Sequence, residues 1–312
     1  MNRSFYKKWY YIFMNLQYID IHSHLNLSPL SENQEVILAK MQELNVGTIT
    51  VGTDMNTSKM AIEIAKANSD ICWATVGFHP NEFSSSPNLG EDRGGVADWT
   101  ELENLARHPK VVAIGETGLD YFRDQSEELK AQQTWIFKKH IELAIRVGKP
   151  LMLHVRASKG TDDAYYDALE ILKEFVIPAS EPESRVEPQN TWIPDQVRND
   201  TTKNTKIRAN FHFFSGSKQC MLDIVNAGFT VSVDGPITFS HDYDDMIKEC
   251  PIESLMIETD APFAAPVPYR GKPCEPWMVI EVAKKIAELK GLDLETVRLQ
   301  MLENTRKFFG IQ

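Results

Sequence analysis

Short apolar runs that fit β-strands alternate with longer amphipathic runs that fit helices, and this alternation limits the fold more than any other feature of the chain. The strand-like runs are Tyr18–His22, Gly47–Val51, Ile71–Val76, Val111–Gly115, Pro150–His154, Ala209–Phe213, Phe229–Val233 and Ser254–Ile257. Helical patterns occupy Glu32–Leu44, Ser58–Ala67, Trp99–Arg107, Ser126–Val147, Asp163–Phe175, Ser217–Ala227 and Asp242–Glu249, and Glu275–Leu289 and Asp293–Phe308 close the chain. Such alternation builds βαβ units on a parallel sheet. Eight strands over about 290 residues predict a (β/α)8 TIM barrel, a fold of about 250 residues plus insertions. A doubly wound sheet is the alternative, but no G-x-G-x-x-G turn follows the first strand.

Two stretches fall outside the rhythm. Residues 176–208 are polar, hold Pro178, Pro182, Pro188 and Pro194, and show neither helical nor strand period. They join a helix to a strand, where a loop of about 2–6 residues is usual. In a barrel that connection lies on the face opposite the catalytic loops, so the insertion is expected to be dispensable for chemistry. Residues 1–17 read as an N-terminal extension, with Met14 as an alternative start, and 18–312 as one barrel domain. The apolar stretch Trp9–Met14 is too short for a signal h-region, and no small-residue cleavage site follows it. A Pro/Gly/Ser-rich loop is expected over Pro87–Gly95.

Charge narrows the function. The extension holds Arg3, Lys7 and Lys8 and no acid, so a net charge of −11 leaves −14 on the rest. That excludes the broad basic face of a duplex-binding protein. Contact with nucleic acid would run through a local site where cations offset the charge. No apolar run approaches the length of a membrane span. Cys72, Cys220, Cys250 and Cys274 are scattered and form no C-x-x-C pair, which argues for free thiols in a reducing cytoplasm.

Metal-capable side chains recur at the C-terminal ends of the strand-like runs, where function sits in a barrel. His22 and His24 in DIHSH lie two apart and so share a face. Glu116 follows the fourth run in IGETGLD and can bridge two cations with its two oxygens. His154 ends the fifth run, His212 the sixth, and Asp260 follows the eighth in ETDAP. Each alone also fits a core histidine or a turn acid, but five strands placing His, Glu or Asp at one end suits a two-metal hydrolytic site. His79 in VGFHP and Arg156 in LHVR are candidate contacts for an anionic substrate. Arg270 lies in the loop after the eighth run, Asp120 and Arg123 are candidate supporting partners near Glu116, and Asp20 either orients a histidine or caps the turn. Phe122, Phe213, Phe263 and Tyr269 offer rings for stacking or for packing.

Taken in order, DIHSH, VGFHP, IGETGLD, LHVR, HFFSGS, GPITF and ETDAPFAAPVPYRG resemble the TatD family of metal-dependent deoxyribonucleases, from about Tyr18 to the C-terminus apart from 176–208. The resemblance implies a TIM barrel related to the amidohydrolases. It implies His22, His24, Glu116 and Asp260 around one metal, and Glu116, His154 and His212 around a second. It also implies phosphodiester hydrolysis on DNA, an ester-bond chemistry that typically uses Mg²⁺ and often runs as a 3′→5′ exonuclease on single strands. Zn²⁺, Mn²⁺, Co²⁺ and Ni²⁺ suit the same donors. On this reading Glu116 bridges the metals, Asp260 takes the proton of the attacking water, and His79 and Arg156 hold the phosphate. The partner is single-stranded DNA or a DNA end, and the protein acts as a cytoplasmic monomer with no membrane or obligate protein partner. Alternatives are an amide, lactone or small phosphoester at the same site, or a non-catalytic metal-binding scaffold. Three positions depart from the family pattern: Asn81 where a histidine is frequent, Cys274 where asparagine is frequent, and Asp234 where a small residue is usual. They bear on substrate and rate, since every implied ligand is retained.

Overall fold

All eight strands of the alternating pattern form, in a computed structural model that describes residues 16–83, 98–175 and 207–311. They are β1 (Tyr18–Ser23), β2 (Val46–Thr50), β3 (Cys72–Val76), β4 (Val111–Asp120), β5 (Leu151–Arg156), β6 (Ala209–His212), β7 (Thr230–Val233) and β8 (Leu255–Ile257). Neighbours pair in parallel in chain order from β1 to β8, and a bridge between Ser23 and Ala261 draws the last strand to the first. The TIM barrel is therefore nearly closed, with helices between its strands. Among these are α1 (Gln34–Leu44), α2 (Met55–Ala67), α3 (Trp99–Ala106), α4 (Glu127–Val147) and α5 (Asp163–Glu174). Then come α6 (Lys218–Asn226), α7 (Asp244–Glu249), α8 (Val279–Lys290) and α9 (Leu294–Phe309).

Local chemistry sets these limits. Asp54 and Thr57 close α2 with a reciprocal capping box, the Asp54 carboxylate accepting from Thr57 N at 2.7 Å. Ser126 caps α4, whose other end stops at Gly148 in the left-handed conformation. β1 and β4 are buried along their whole length, and the strands pack against the apolar faces of the helices, as parallel sheets require.

The seam between β1 and β8 places part of the site. His24 N donates to Ala261 O at 2.7 Å and Asp260 N to His22 O at 2.9 Å. The fully buried Asp20 carboxylate accepts from Thr259 N (2.9 Å), Thr259 Oγ1 (2.7 Å) and His22 N (3.1 Å). Asp20 thus ties the two ends of the barrel domain together through main chain and a threonine, rather than orienting a histidine ring.

One boundary moves further than fraying explains. The apolar run Val111–Gly115 suggests that β4 ends before Glu116, but the strand continues to Asp120. Thr117, Gly118, Leu119 and Asp120 pair with Leu153 through Arg156 of β5, after an irregularity between Ile114 and Thr117. Two glycines permit this approach. A Cβ at Gly115 would collide with Met152 O, and one at Gly118 with His154 O.

The proposed extension 1–17 and insertion 176–208 fall mainly outside the described residues, as does the loop Pro87–Gly95. Their inner edges belong to the barrel. Leu16 is buried, and Gln17 N donates to Asn45 O at 2.7 Å. Ile207 is buried, and the Arg208 guanidinium donates to Phe308 O. Arg208 O also accepts from Leu151 N at 2.8 Å, at the start of β5 and so at the end of the barrel away from His212. Replacing residues 176–206 with a short Gly-containing turn is therefore expected to leave metal content and kcat within about twofold, with Tm unchanged or slightly raised, because lengthening a loop costs only about 0.6 kcal/mol per doubling. Metal analysis, steady-state kinetics and thermal unfolding check this, and a folded variant with a large loss of kcat would contradict it.

Candidate active site

An open cleft of about 580 Å³ lies at the C-terminal mouth of the barrel, lined by His24, His79, Glu116, His154, Arg156, His212 and Asp260 among others. Each strand end delivers its residue for a local reason. His22 lies on β1, and His24 is fixed just beyond it by the seam. Gly118, His154 and His212 are in register across β4, β5 and β6, so the two histidines stand side by side. Asp260 follows β8 in the left-handed region (φ 51), a conformation that aspartate tolerates better than most residues.

These side chains converge on the carboxylate of Glu116, which is 3% exposed. Its Oε2 lies 3.5 Å from His22 Nε2 and 3.9 Å from His24 Nε2. Its Oε1 lies 2.8 Å from His212 Nε2, 3.0 Å from His154 Nδ1 and 3.7 Å from His79 Nε2. Asp260 Oδ1 completes the first side at 3.7 Å from His22 Nε2 and 3.5 Å from His24 Nε2. The structure thus brings together all six residues singled out as ligands, the other five divided between the two sides of the Glu116 carboxylate, with His79 and Arg156 on the wall of the same cleft.

Burial opposes ionisation of Glu116, yet the imidazoles of His212, His79 and His22 and the bond from His154 hold its carboxyl well below the usual range. Burial likewise opposes ionisation of Asp260, and the bond from His24 with the charges of His22 and His24 holds it low. His22 is pushed down by burial and by His212. His212 and His154 go the other way, because carboxylates outweigh burial: Glu116 and Glu258 for His212, Asp120 and Glu116 for His154. Burial, and then His154, lower His79 to about 3, so it is neutral at physiological pH. Its Nδ1 accepts from Asn81 N at 3.1 Å, which leaves the proton on Nε2, the atom nearer Glu116.

A ring of supporting groups holds these residues. Asp120 Oδ2 lies 3.3 Å from His154 Nε2 and accepts from Asn81 Nδ2 at 2.8 Å. Asn81 therefore reaches His79 through its main chain and His154 through Asp120. Sequence reasoning passed over Glu258, although it stands in the same ETD triplet as Asp260. It is fully buried, lies 3.5 Å from His212 Nδ1, and accepts from Ser232 Oγ at 2.9 Å and from Phe213 N. Arg123 stays exposed. Arg270 stacks on Phe239 and donates to Ala265 O, away from the cleft lining. Tyr269 packs edge-on against Trp277. Cys274 is buried, and its N–H, not its thiol, holds the Asp260 loop by donating to Pro262 O at 2.9 Å. Asp234 ends the approach to this cluster with Oδ2 buried and without a hydrogen-bond partner among the described residues. Burial, and then Glu258 and Asp260, push its carboxyl well up.

The donor set fits divalent cations. His22 Nε2 and His24 Nε2 face each other at 3.3 Å, although two neutral imidazoles have no use for such an approach beyond one shared proton. With Glu116 and Asp260 they form edges of 3.3–3.9 Å. Ligands held about 2.0–2.2 Å from a tetrahedral ion stand roughly that far apart. His22–His24–Asp260 and His79–Glu116–His154 each gather three donor atoms within 4.8 Å, as does His22–His212–Glu258. Nitrogen and carboxylate donors without thiolate suit borderline and hard metals.

A family model described as TatD related DNase matches residues 19–310. A metal-dependent hydrolase from Bacillus subtilis (strain 168), YabD, is 32% identical over 295 residues, covering 94% of this chain and 98% of that protein. A Pantoea ananatis protein named 3′-5′ ssDNA/RNA exonuclease TatD is 28% identical over 300 residues, covering 94% and 99%. The crystal structure of YjjV, a TatD homologue from Escherichia coli K12, superposes with a TM-score of 0.75 at 25% identity, covering 96% of this chain and all of that one.

The electrostatics of Asp234 give a testable outcome. With its carboxyl raised in the fold, the unfolded chain ionises first, so its contribution to stability is present below the ordinary aspartate range and is lost as pH rises. In metal-free protein Asp234→Asn is expected to raise Tm by a few degrees at about pH 7 and by less at about pH 4. Calorimetry at both values checks this, and a loss of stability at neutral pH would contradict it.

Proposed function

The chain belongs to the TatD-related DNase family of metal-dependent hydrolases, and from that premise we propose that it is a two-metal phosphodiesterase removing nucleotides from the 3′ end of single-stranded DNA. The observation that carries the proposal is the division of ligands between the two oxygens of Glu116. His22, His24 and Asp260 with Oε2 would hold one cation, and His154 and His212 with Oε1 a second. Mg²⁺ is the expected occupant. Two such cations supply Lewis acidity, lower the pKa of a nearby water and offset phosphate charge. The direction of attack and the single-stranded substrate rest on the Pantoea ananatis relative's name and on the family resemblance.

The chain's own residues then divide the work. Asp260 is held ionised and its side chain is 15% exposed, so its carboxylate is open to the cleft and takes the proton of the attacking water. Glu116 has both oxygens engaged and serves as an anchor. His79, neutral with its proton on Nε2, donates to a phosphate oxygen without adding charge. Arg156 supplies the fixed positive charge, its guanidinium lying 3.8 Å from the centroid of the Phe122 ring. Asp120 and Glu258 orient His154 and His212 from behind. No helix among the described residues is long and apolar enough to cross a membrane. All four cysteines are buried and free, which accords with a cytoplasmic location.

Two predictions follow the division of roles. With end-labelled single-stranded DNA, the 3′ nucleotide is expected to be released before internal products appear. Chelation should abolish this and Mg²⁺ or Mn²⁺ restore it. Undiminished cleavage after verified metal removal would reject the mechanism, and cleavage of no nucleic acid would move the substrate to small esters or amides. Asp260→Asn is expected to retain most metal while losing turnover by about 100-fold or more, whereas His154→Ala should lose about half the bound metal. Metal analysis beside single-turnover rates separates the two, and an Asn variant cleaving at the wild-type rate would remove Asp260 from the role of base.

A further inference from the structure

One ring on the cleft wall has no part in the chemistry above. Phe263 lines the cleft, is 55% exposed, and meets the His24 ring edge-on with centroids 6.3 Å apart. Main-chain bonds hold the turn that carries it. Phe263 N donates to Asp260 O at 2.9 Å, Cys274 N donates to Pro262 O at 2.9 Å, and the flanking Asp260 and Ala264 both sit at φ 51. A large apolar face is thus held in water beside the ligand cluster by the same turn that aims Asp260.

On the facing wall stands Arg156, three strands away on β5. Its guanidinium carbon lies 3.8 Å from the centroid of the Phe122 ring, and among the described residues it has no ion-pair partner. A guanidinium fixed on a ring keeps its N–H edge free for an anion and loses little side-chain entropy on binding one. The mouth therefore offers an apolar plane on one side, an oriented cation on the other, and the ligand cluster between them. A nucleotide at an unpaired strand end has the matching parts in the matching order: a base, a phosphodiester and a neighbouring phosphate.

We propose that Phe263 is the stacking platform for the terminal base, with Arg156 on the adjoining phosphate. The proposal deepens the exonuclease reading and rests on it. A base inside a duplex already has both faces covered, so it gains nothing from Phe263, whereas an end base with an open face does. Stacking of this kind tolerates any base. The platform is therefore indifferent to sequence.

The test compares wild type, Phe263→Ala and Phe263→Trp on two labelled single strands, one ending in an ordinary nucleotide and one ending in a tetrahydrofuran residue that lacks a base. The Ala variant is expected to raise KM on the ordinary end about tenfold or more, with kcat within about twofold. It should match wild type on the baseless end, and Trp should restore the ordinary KM. A second readout needs no turnover. Fluorescence of 2-aminopurine at the terminal position is expected to be quenched on binding to Asp260→Asn protein, and the added Phe263→Ala change should abolish that quenching. An unchanged KM in the Ala variant, equal losses on both ends, or quenching that survives the double change would overturn the inference while leaving the exonuclease reading intact. Wild-type protein that cleaves no single strand would overturn that reading and the platform with it.

Discussion

The structure turns on one buried negative charge. A carboxylate taken out of water costs several kcal/mol unless partners surround it, and Glu116 is buried with no cationic Lys or Arg within ion-pair distance among the described residues. Imidazoles do the compensating. Five of them approach its two oxygens, and three of the five are themselves buried. Histidines are poor counter-ions on their own, because charging one in a buried cluster discourages charging the next. His22, His79 and His212 show the conflict, the first two pushed down and the third pushed up. A pair of divalent cations would resolve it, since neutral imidazoles could then serve as ligands and would no longer compete for protons.

The barrel delivers this charge by two devices far apart in sequence. Gly115 and Gly118 let β4 run against the main chain of β5, so Glu116 stands in the mouth and His154 pairs directly with Gly118. On the other side, Asp20 and the His22–Asp260 and His24–Ala261 main-chain bonds hold the β1–β8 seam. The seam fixes three candidate ligands, His22, His24 and Asp260, at once. Loss of any one of these contacts would disturb the position of a ligand as well as the stability of the barrel. The ligand set and the sheet closure are in this sense one construction.

Much of this was legible in the chain. Parallel strands buried on both faces show as apolar runs, and in a barrel the polar residue that ends such a run reaches a common mouth. His22, His24, Glu116, His154, His212 and Asp260 are readable on that rule as a cluster at the mouth. The true extent of β4 was not, because a strand carrying Gly-Glu-Thr-Gly lacks apolar continuity and its pairing depends on close contact with β5. Glu258 was also hidden, since its neighbour Asp260 explained the triplet by itself and the bond to Ser232 spans 26 positions. Arg156 was visible as a charge, but not its placement on Phe122, 34 residues earlier and joined to it only by strand register. Phe263 was one of four rings of equal standing; Phe213 also lines the cleft, Tyr269 packs on Trp277, and Phe263 is the most exposed of the four.

The central claim is that Glu116 organises two adjacent cation sites, one at each oxygen. Anomalous diffraction from crystals grown with Mn²⁺ tests it most directly. The account predicts two peaks about 3.5–4 Å apart, one contacting Oε2 with His22, His24 and Asp260, the other contacting Oε1 with His154 and His212. A single peak, or two peaks of which neither touches Glu116, would contradict it.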